Sequence, residues 1–340
     1  MEVQNTGPDL DAEVQVSYKK GSDGKSLTSM NIELPATSRK EFFLYTYFSG
    51  DYRRELNVSL LADGQVLKKV NLAVNCLAFE TVIFGVVADN PSTYDILTDV
   101  KPLNGFVRIA QFGMSDLPDR AQAWASLDAL IVANVDTGTV TPEQKQALKT
   151  WIAGGGKLFI VGGVNWQSTV AGLKDILPVD LTMTRRVDSL SQLQAYIKDQ
   201  IPLDSGTILA SGQVRAEGQV LVYQDGIPLI VQAPLGFGRV YFFAADPALQ
   251  PLSNWSGMKE VYQHLLGPKS QVPVWTQDTW YDYRAKQALA TIPELGLPSI
   301  FYICGLLGFY ILVIGPLNYL ALRRIKRREL AWVTIPMLVI

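Results

Sequence analysis

Histidine and cysteine are nearly absent from this 340-residue chain, which has one histidine, His264, and two cysteines, Cys76 and Cys304. A single imidazole excludes metal centres built on several histidines, and any chemistry that needs two of them. Cys304 lies inside a long apolar run and Cys76 lies far upstream, so no disulfide framework is expected. Charge is missing most completely from Ser299 to Leu322, a stretch of 24 residues without one charged side chain. A bilayer core of ~30 Å needs about 20 such residues at a rise of ~1.5 Å each. The sequence therefore predicts a transmembrane helix over 298–322. Arg323, Arg324, Lys326, Arg327 and Arg328 come directly after it, and a basic flank of this kind marks the cytoplasmic side. The bulk of the chain is expected outside the cytoplasm, at a cell membrane, with the lipid bilayer as its first partner.

Basic clusters are lacking before the span. The net charge of −2 includes that basic flank, so the upstream part is acidic overall. An acidic part with no Lys/Arg patch excludes nucleic acid as an expected partner. An apolar export signal is also missing, since the residues from Met1 to Asn5 are polar. An outward-facing part of this size needs export, and a second apolar run occupies 331–340. Both ends are expected to be cut from a longer protein, with 331–340 as the start of a second span.

What is present divides the chain further. Up to residue 79 the pattern is β-rich. Val14–Tyr18 alternates, Phe42–Phe48 is rich in aromatic strand formers, and two alternating runs flank Asp63-Gly64, a strong hairpin signal. A small immunoglobulin-like β-sandwich is expected over 1–79, lacking its first strands if the chain is cut upstream. Over 80–268 the period changes. Val82–Ala88, Phe106–Phe112, Ala129–Ala133 and Lys157–Gly163 are continuous apolar runs, as in strands buried on both faces. The clearest helix between them is Thr141 to Ala153, with Thr141 as N-cap, Pro142 at N1, Gln144 completing a capping box and three glycines at its end. Further helices are expected over Ser189–Asp199 and Trp255–Leu266, a hairpin around Asp225-Gly226, and a last core strand over Gly238–Ala244. The α/β class with a flavodoxin-like parallel sheet is the fold this alternation implies. Residues 269–297 read as a tether and 323–330 as a basic cytoplasmic loop.

The run LDALIV at 127–132, TPEQ at 141–144 and LKTWIAGGGKLFIVGG at 148–163 resembles the class I glutamine-amidotransferase-like fold. More narrowly, it is similar to the divergent form found in bacterial membrane-anchored proteins, as are Gly236–Val240 leading to Asp246-Pro247 and the tail from Gly315. The resemblance covers roughly residues 81–340. It implies a cysteine nucleophile in a sharp strand-to-helix turn, completed by histidine and glutamate. The matching turn, Val161 to Asn165, has no cysteine, and thiolate chemistry needs the nucleophile there. A catalytically inactive relative, a pseudoenzyme without cofactor, is expected.

Ligands of open parallel sheets bind beyond the carboxyl ends of the strands. The residues expected there are Asp89, Asn134, Asp136, Gly162, Gly163, Asn165 and Asp246, with Asn90 beside them. Each also has a structural reading as a cap, turn or close-packing residue. Three functions stay open. The first is non-catalytic binding or scaffolding in the bacterial envelope, beside a partner such as an ABC-type transporter. The second is a metal-assisted hydrolase using Asp89, Asp136 and Asp246, although no metal centre is assigned. The third is a carbohydrate-binding module using Trp124, Trp151, Trp166 and Trp255. His264 is read as a helix C-terminal residue. Trp275, Trp280, Tyr281 and Tyr283 are read as interfacial aromatics, Gly315-Pro316 as a bend in the span, and Asn318 as its one strongly polar side chain.

Overall fold

The computed structural model describes residues 1–20, 24–46, 53–77, 81–102, 106–198, 203, 205–267 and 300–326, with positions 332 and 337. The tether with its four aromatics, Arg327, Arg328, most of 331–340, and Tyr47 and Phe48 lie outside the described residues. The chain divides into two units, Met1–Gln271 and Val272–Ile340.

In the first unit, β1 (Glu2–Gln4), β2 (Leu10–Lys20), β3 (Gly24–Leu34), β4 (Arg39–Glu41), β5 (Arg53–Ala62) and β6 (Gln65–Asn75) come first. β3-β2-β5-β6 form one antiparallel sheet, and β1 pairs with β4 in a separate ribbon. Alternation places Val14, Val16, Leu56 and Val58 on one face, where Val16, Tyr18 and Leu56 make a small core. The strands β1 and β4 of the ribbon are three residues long each. An open groove of about 700 Å³ lies between the ribbon and β5–β6. Phe42 continues the β1–β4 pairing by exchanging backbone hydrogen bonds with Met1, at 2.9 and 2.8 Å, and Phe43 to Thr46, also expected as strand, follow as irregular chain. Asp63 and Gly64 both take positive φ, 50° and 75°. That is the type I′ geometry that suits a two-residue hairpin. Tyr45 ties this region to the α/β part, because its hydroxyl accepts the Asp119 N–H at 3.4 Å and the Arg120 guanidinium lies 6.0 Å from its ring.

The α/β part contains β7 (Val82–Ala88), β8 (Val107–Gln111), β9 (Ala129–Ala133), α1 (Pro142–Ala153), β10 (Lys157–Val161), α2 (Trp166–Val170), β11 (Val179–Val187), α3 (Ser191–Ile197), β12 (Thr207–Val214), β13 (Gln219–Gln224), β14 (Ile227–Leu235), β15 (Gly238–Phe243) and α4 (Met258–Leu266). The sheet runs β13-β14-β15-β10-β9-β7-β8. Five strands are mutually parallel, and their order, numbered along the chain, is 2-1-3-4-5. This is the order of a flavodoxin-like sheet. The main sheet is mixed at one edge, where β13 and β14 form the hairpin expected around Asp225-Gly226 and β14 also runs antiparallel to β15. The turns at Asp225-Gly226 and Gly236-Phe237 are far too short for a parallel crossover. β11 and β12 form a second antiparallel pair outside the main sheet. The core is continuous across both faces of the sheet. The capping box of α1 is present as expected, with the Gln144 N–H donating to the Thr141 hydroxyl and the Gln144 side chain accepting the Thr141 N–H.

The second unit, described by itself, contains α5 (Ile300–Leu312) and α6 (Asn318–Arg324), joined by a π-helical turn over Val313–Leu317. Pro316 removes an intrahelical donor, and the π turn absorbs the break. Ile300–Arg324 is a helix of 25 residues, long and apolar enough to cross a membrane.

Candidate functional site

The carboxyl ends of β7, β9, β10 and β15 carry every candidate residue, but the structure brings only some of them together. Asp89 accepts the Asn90 N–H at 2.8 Å and stays exposed at the start of a 3-10 turn. Asp136 accepts the Gly138 N–H at 2.9 Å as the cap of the turn Thr137–Thr139. The carbonyl of Asn165 accepts from the Thr169 N–H and hydroxyl, so Asn165 opens α2 and its side chain is exposed. Gly162 is a packing glycine, since a Cβ there would lie 2.8 Å from the Ala244 carbonyl and 2.9 Å from the Phe242 ring.

Asn134, Gly163 and Asp246 do converge. Asn134, directly after β9, takes a left-handed φ of 51°. Its Nδ2 donates to Asp246 Oδ2 at 2.7 Å. The other oxygen, Oδ1, accepts the Ala248 N–H at 2.8 Å. Asp246 is only 4% exposed, and a buried carboxylate persists only where hydrogen bonds satisfy it. Gly163 lies against it with φ 82°. A Cβ on Gly163 would come within 2.8 Å of Asp246 Cβ.

Two tyrosines complete this cluster. Tyr94, on the turn Pro91–Asp99, and Tyr262, on α4, are each 1% exposed with ring centroids 6.5 Å apart. Burial pushes both phenols above their ordinary range. For Tyr94, proximity to Tyr262, Asp246 and Asp89 adds to this, and for Tyr262, proximity to Asp246 does. Both therefore stay protonated O–H donors. Among the described residues neither hydroxyl has a hydrogen-bond partner, nor has Asn134 Oδ1. Orphaned polar atoms in a closed interior each cost free energy. Three of them near one buried carboxylate make this the polar focus of the domain. It consists of one carboxylate, one amide and two phenols, and it contains no cysteine or serine.

The sequence reading missed both tyrosines. The available signal was a tyrosine on the apolar face of α4, in step with the buried Met258, Val261 and Leu265. His264, by contrast, points its Nδ1 to the Glu260 carbonyl at 2.8 Å on the exposed side of α4, in the last turn as expected. Asp89, Asp136 and Asp246 do not assemble, and no group of three or more His, Cys, Asp or Glu side chains among the described residues could hold a metal ion. Trp124, Trp151, Trp166 and Trp255 are all buried, and Trp124 lies against Trp151 with ring centroids 5.6 Å apart and planes tilted by 30°. None of the four offers an exposed ring to a sugar.

Residues 1–75 match the family model of a domain of unknown function, DUF8726, and residues 116–247 match that of another, DUF7408. No curated protein matches the chain. Among solved structures the chain is similar to a cytoplasmic protein, STM1381, from Salmonella typhimurium LT2, with 16% identity and a TM-score of 0.41, covering 63% of this chain and 94% of that one. A ThuA-like protein from Bacteroides uniformis ATCC 8492 shares 11% identity with a TM-score of 0.32, over 53% of this chain and 89% of that one. A beta-galactosidase from Bacillus circulans sp. alkalophilus shares 13% identity with a TM-score of 0.34, over 54% of this chain and 30% of that one. Asn134, Gly163 and Asp246 fall inside the DUF7408 match, whereas Tyr94 and Tyr262 fall outside both matches.

Proposed function

We propose that the protein is a membrane-anchored, outward-facing binding or scaffolding component of a bacterial envelope, and that its α/β domain is a degenerate, non-catalytic amidotransferase-like domain. One observation carries the reading. The turn from β10 into α2 keeps a backbone of positive φ, at Gly163, as a nucleophile elbow requires. The residue at that apex has no side chain, and its space is taken by Asp246. The elbow is a packing joint and not a reactive centre.

Anchoring is supported by the apolar helix Ile300–Arg324 and the basic residues Arg323, Arg324 and Lys326 at its end. The outward orientation rests on that basic flank. A transporter as partner rests on fold-level analogy. Among the described residues, Asp89, Asp136 and Asp246 form no metal-holding group and Trp124, Trp151, Trp166 and Trp255 are buried, which favours the binding reading over the hydrolase and sugar-binding alternatives.

The test uses the full chain in nanodiscs, incubated with glutamine and with activated esters. The expected result is no turnover above that of an Asp246→Ala variant. Turnover that Asp246→Ala abolishes, while the variant stays folded, overturns the proposal.

A further inference from the structure

Away from the strand ends, a pocket of about 240 Å³ lies between α2, the stretch from Lys174 to Leu181, and Arg215. Its floor is aliphatic, because Val170, Leu177 and Val179 line it and are otherwise buried. Trp166 forms a further wall. Its mouth is charged. Arg215 Nε and Nη2 both donate to Asp180 Oδ1, at 2.9 and 2.5 Å. This pair is internally neutral. Lys174 is the charge left over. The neighbouring carboxylate, Asp175, is committed to Lys145 and Lys149, and Lys174 has no salt bridge among the described residues. The pocket thus combines an apolar floor with a mouth where Asp180, Glu217 and Asp175 act on Arg215 and Lys174 is the cation without a salt bridge among the described residues.

A bare inorganic anion leaves the aliphatic floor uncovered, and an ammonium ligand meets an unpaired lysine. A ligand that satisfies both ends has one negative head and one short apolar tail. At ~30 Å³ per water, the pocket has room for about eight water volumes, or an acid of about six carbons. The geometry points to a binding site for a small aliphatic monocarboxylate, its carboxylate at Lys174 and Arg215 and its tail on Val170, Leu177 and Val179. A charge-assisted hydrogen bond to Lys174 supplies selectivity for the anion, and burial of the tail supplies most of the affinity. This inference concerns a site separate from the Asp246 cluster and goes beyond the proposed scaffolding role.

The test is calorimetric titration of the full chain in nanodiscs with hexanoate, hexylammonium, hexanol and acetate, with empty nanodiscs subtracted. Saturable binding of hexanoate is expected, with the other three at least about tenfold weaker. Lys174→Gln is expected to weaken hexanoate about five- to tenfold and to leave hexanol unchanged, which a merely structural lysine would not do. Leu181→Trp, at the half-buried rim, is expected to abolish binding by filling the pocket, with unfolding midpoints measured for both variants. Equal binding of hexanoate and hexylammonium, hexanoate binding insensitive to Lys174→Gln in a folded variant, or no saturable hexanoate binding overturns the assignment.

Discussion

Asn134 and Asp246 hydrogen-bond at 2.7 Å although they come after strands that are not neighbours. β10 lies between β9 and β15, so the bond spans two strand spacings, about 9.5 Å at the level of the sheet. It does so by crossing over the carboxyl end of β10, where Gly163 sits. The missing side chain at 163 is what lets the two polar residues meet.

Gly163→Ala is therefore expected to destabilise the protein by about 2–3 kcal/mol. The left-handed backbone costs an L-residue roughly 1–2 kcal/mol, and the new Cβ displaces the Asp246 carboxylate. Thermal unfolding of the full chain reads the effect; an unchanged midpoint would show that the contact is slack.

The tyrosine hydroxyls separate cost from function. Tyr262→Phe removes a buried hydroxyl that has no partner among the described residues, so stability is expected to hold or rise by up to about 1 kcal/mol. Asp246→Ala leaves the Asn134 Nδ2 and the Ala248 N–H without an acceptor, and a loss of about 2–4 kcal/mol is expected. Chemical denaturation of the two variants side by side checks the opposite signs.

Acid stability depends on Asp175 and Asp180. For Asp175, burial works to raise the carboxyl and hydrogen bonds from Lys145 and Lys149 outweigh it, so it lies below its ordinary value. Asp180 is held down by the hydrogen bond from Arg215. A depressed carboxyl contributes stability that is complete above the unfolded value of ~3.9 and is lost as pH falls through the folded one. Unfolding midpoints are thus expected to be insensitive to these pairs from about pH 5 to 8 and to drop below about pH 4. Asp175→Asn should flatten that acid drop while lowering the plateau.

Sidedness has a direct readout. Phe237 is 92% exposed in the turn before β15. In a background with Cys76→Ser and Cys304→Ser, Phe237→Cys is expected to react with a membrane-impermeant maleimide on intact cells. Labelling only after lysis would place the α/β part on the cytoplasmic side.

Much of the α/β framework was legible because its strands are apolar on both faces. Val82–Ala88 and Ala129–Ala133 have the bounds that the composition predicts, and α1 is announced by Thr141, Pro142 and Gln144. β11 and β12 were not legible, because their one-sided pairing leaves Thr184, Arg185 and Arg186 facing solvent in the middle of a strand. β3 was hidden for a similar reason, its apolar residues being diluted by serine, threonine and asparagine. At the site, Asn134 and Asp246 were readable as strand-end residues. Their partnership was not, because it depends on strand order, and neither Tyr94 nor Tyr262 sits at the end of a strand.

Lys157, at the start of β10, donates its ammonium to the carbonyl of Leu266 at 2.7 Å. Leu266 is the last residue of α4. Burial first, and Arg239 next, draw this lysine below its ordinary range, and Asp128 opposes the shift. The consequence is mechanical. The bond fixes the C-terminal end of α4 to β10, an interior strand flanked by β9 and β15, both parallel to it.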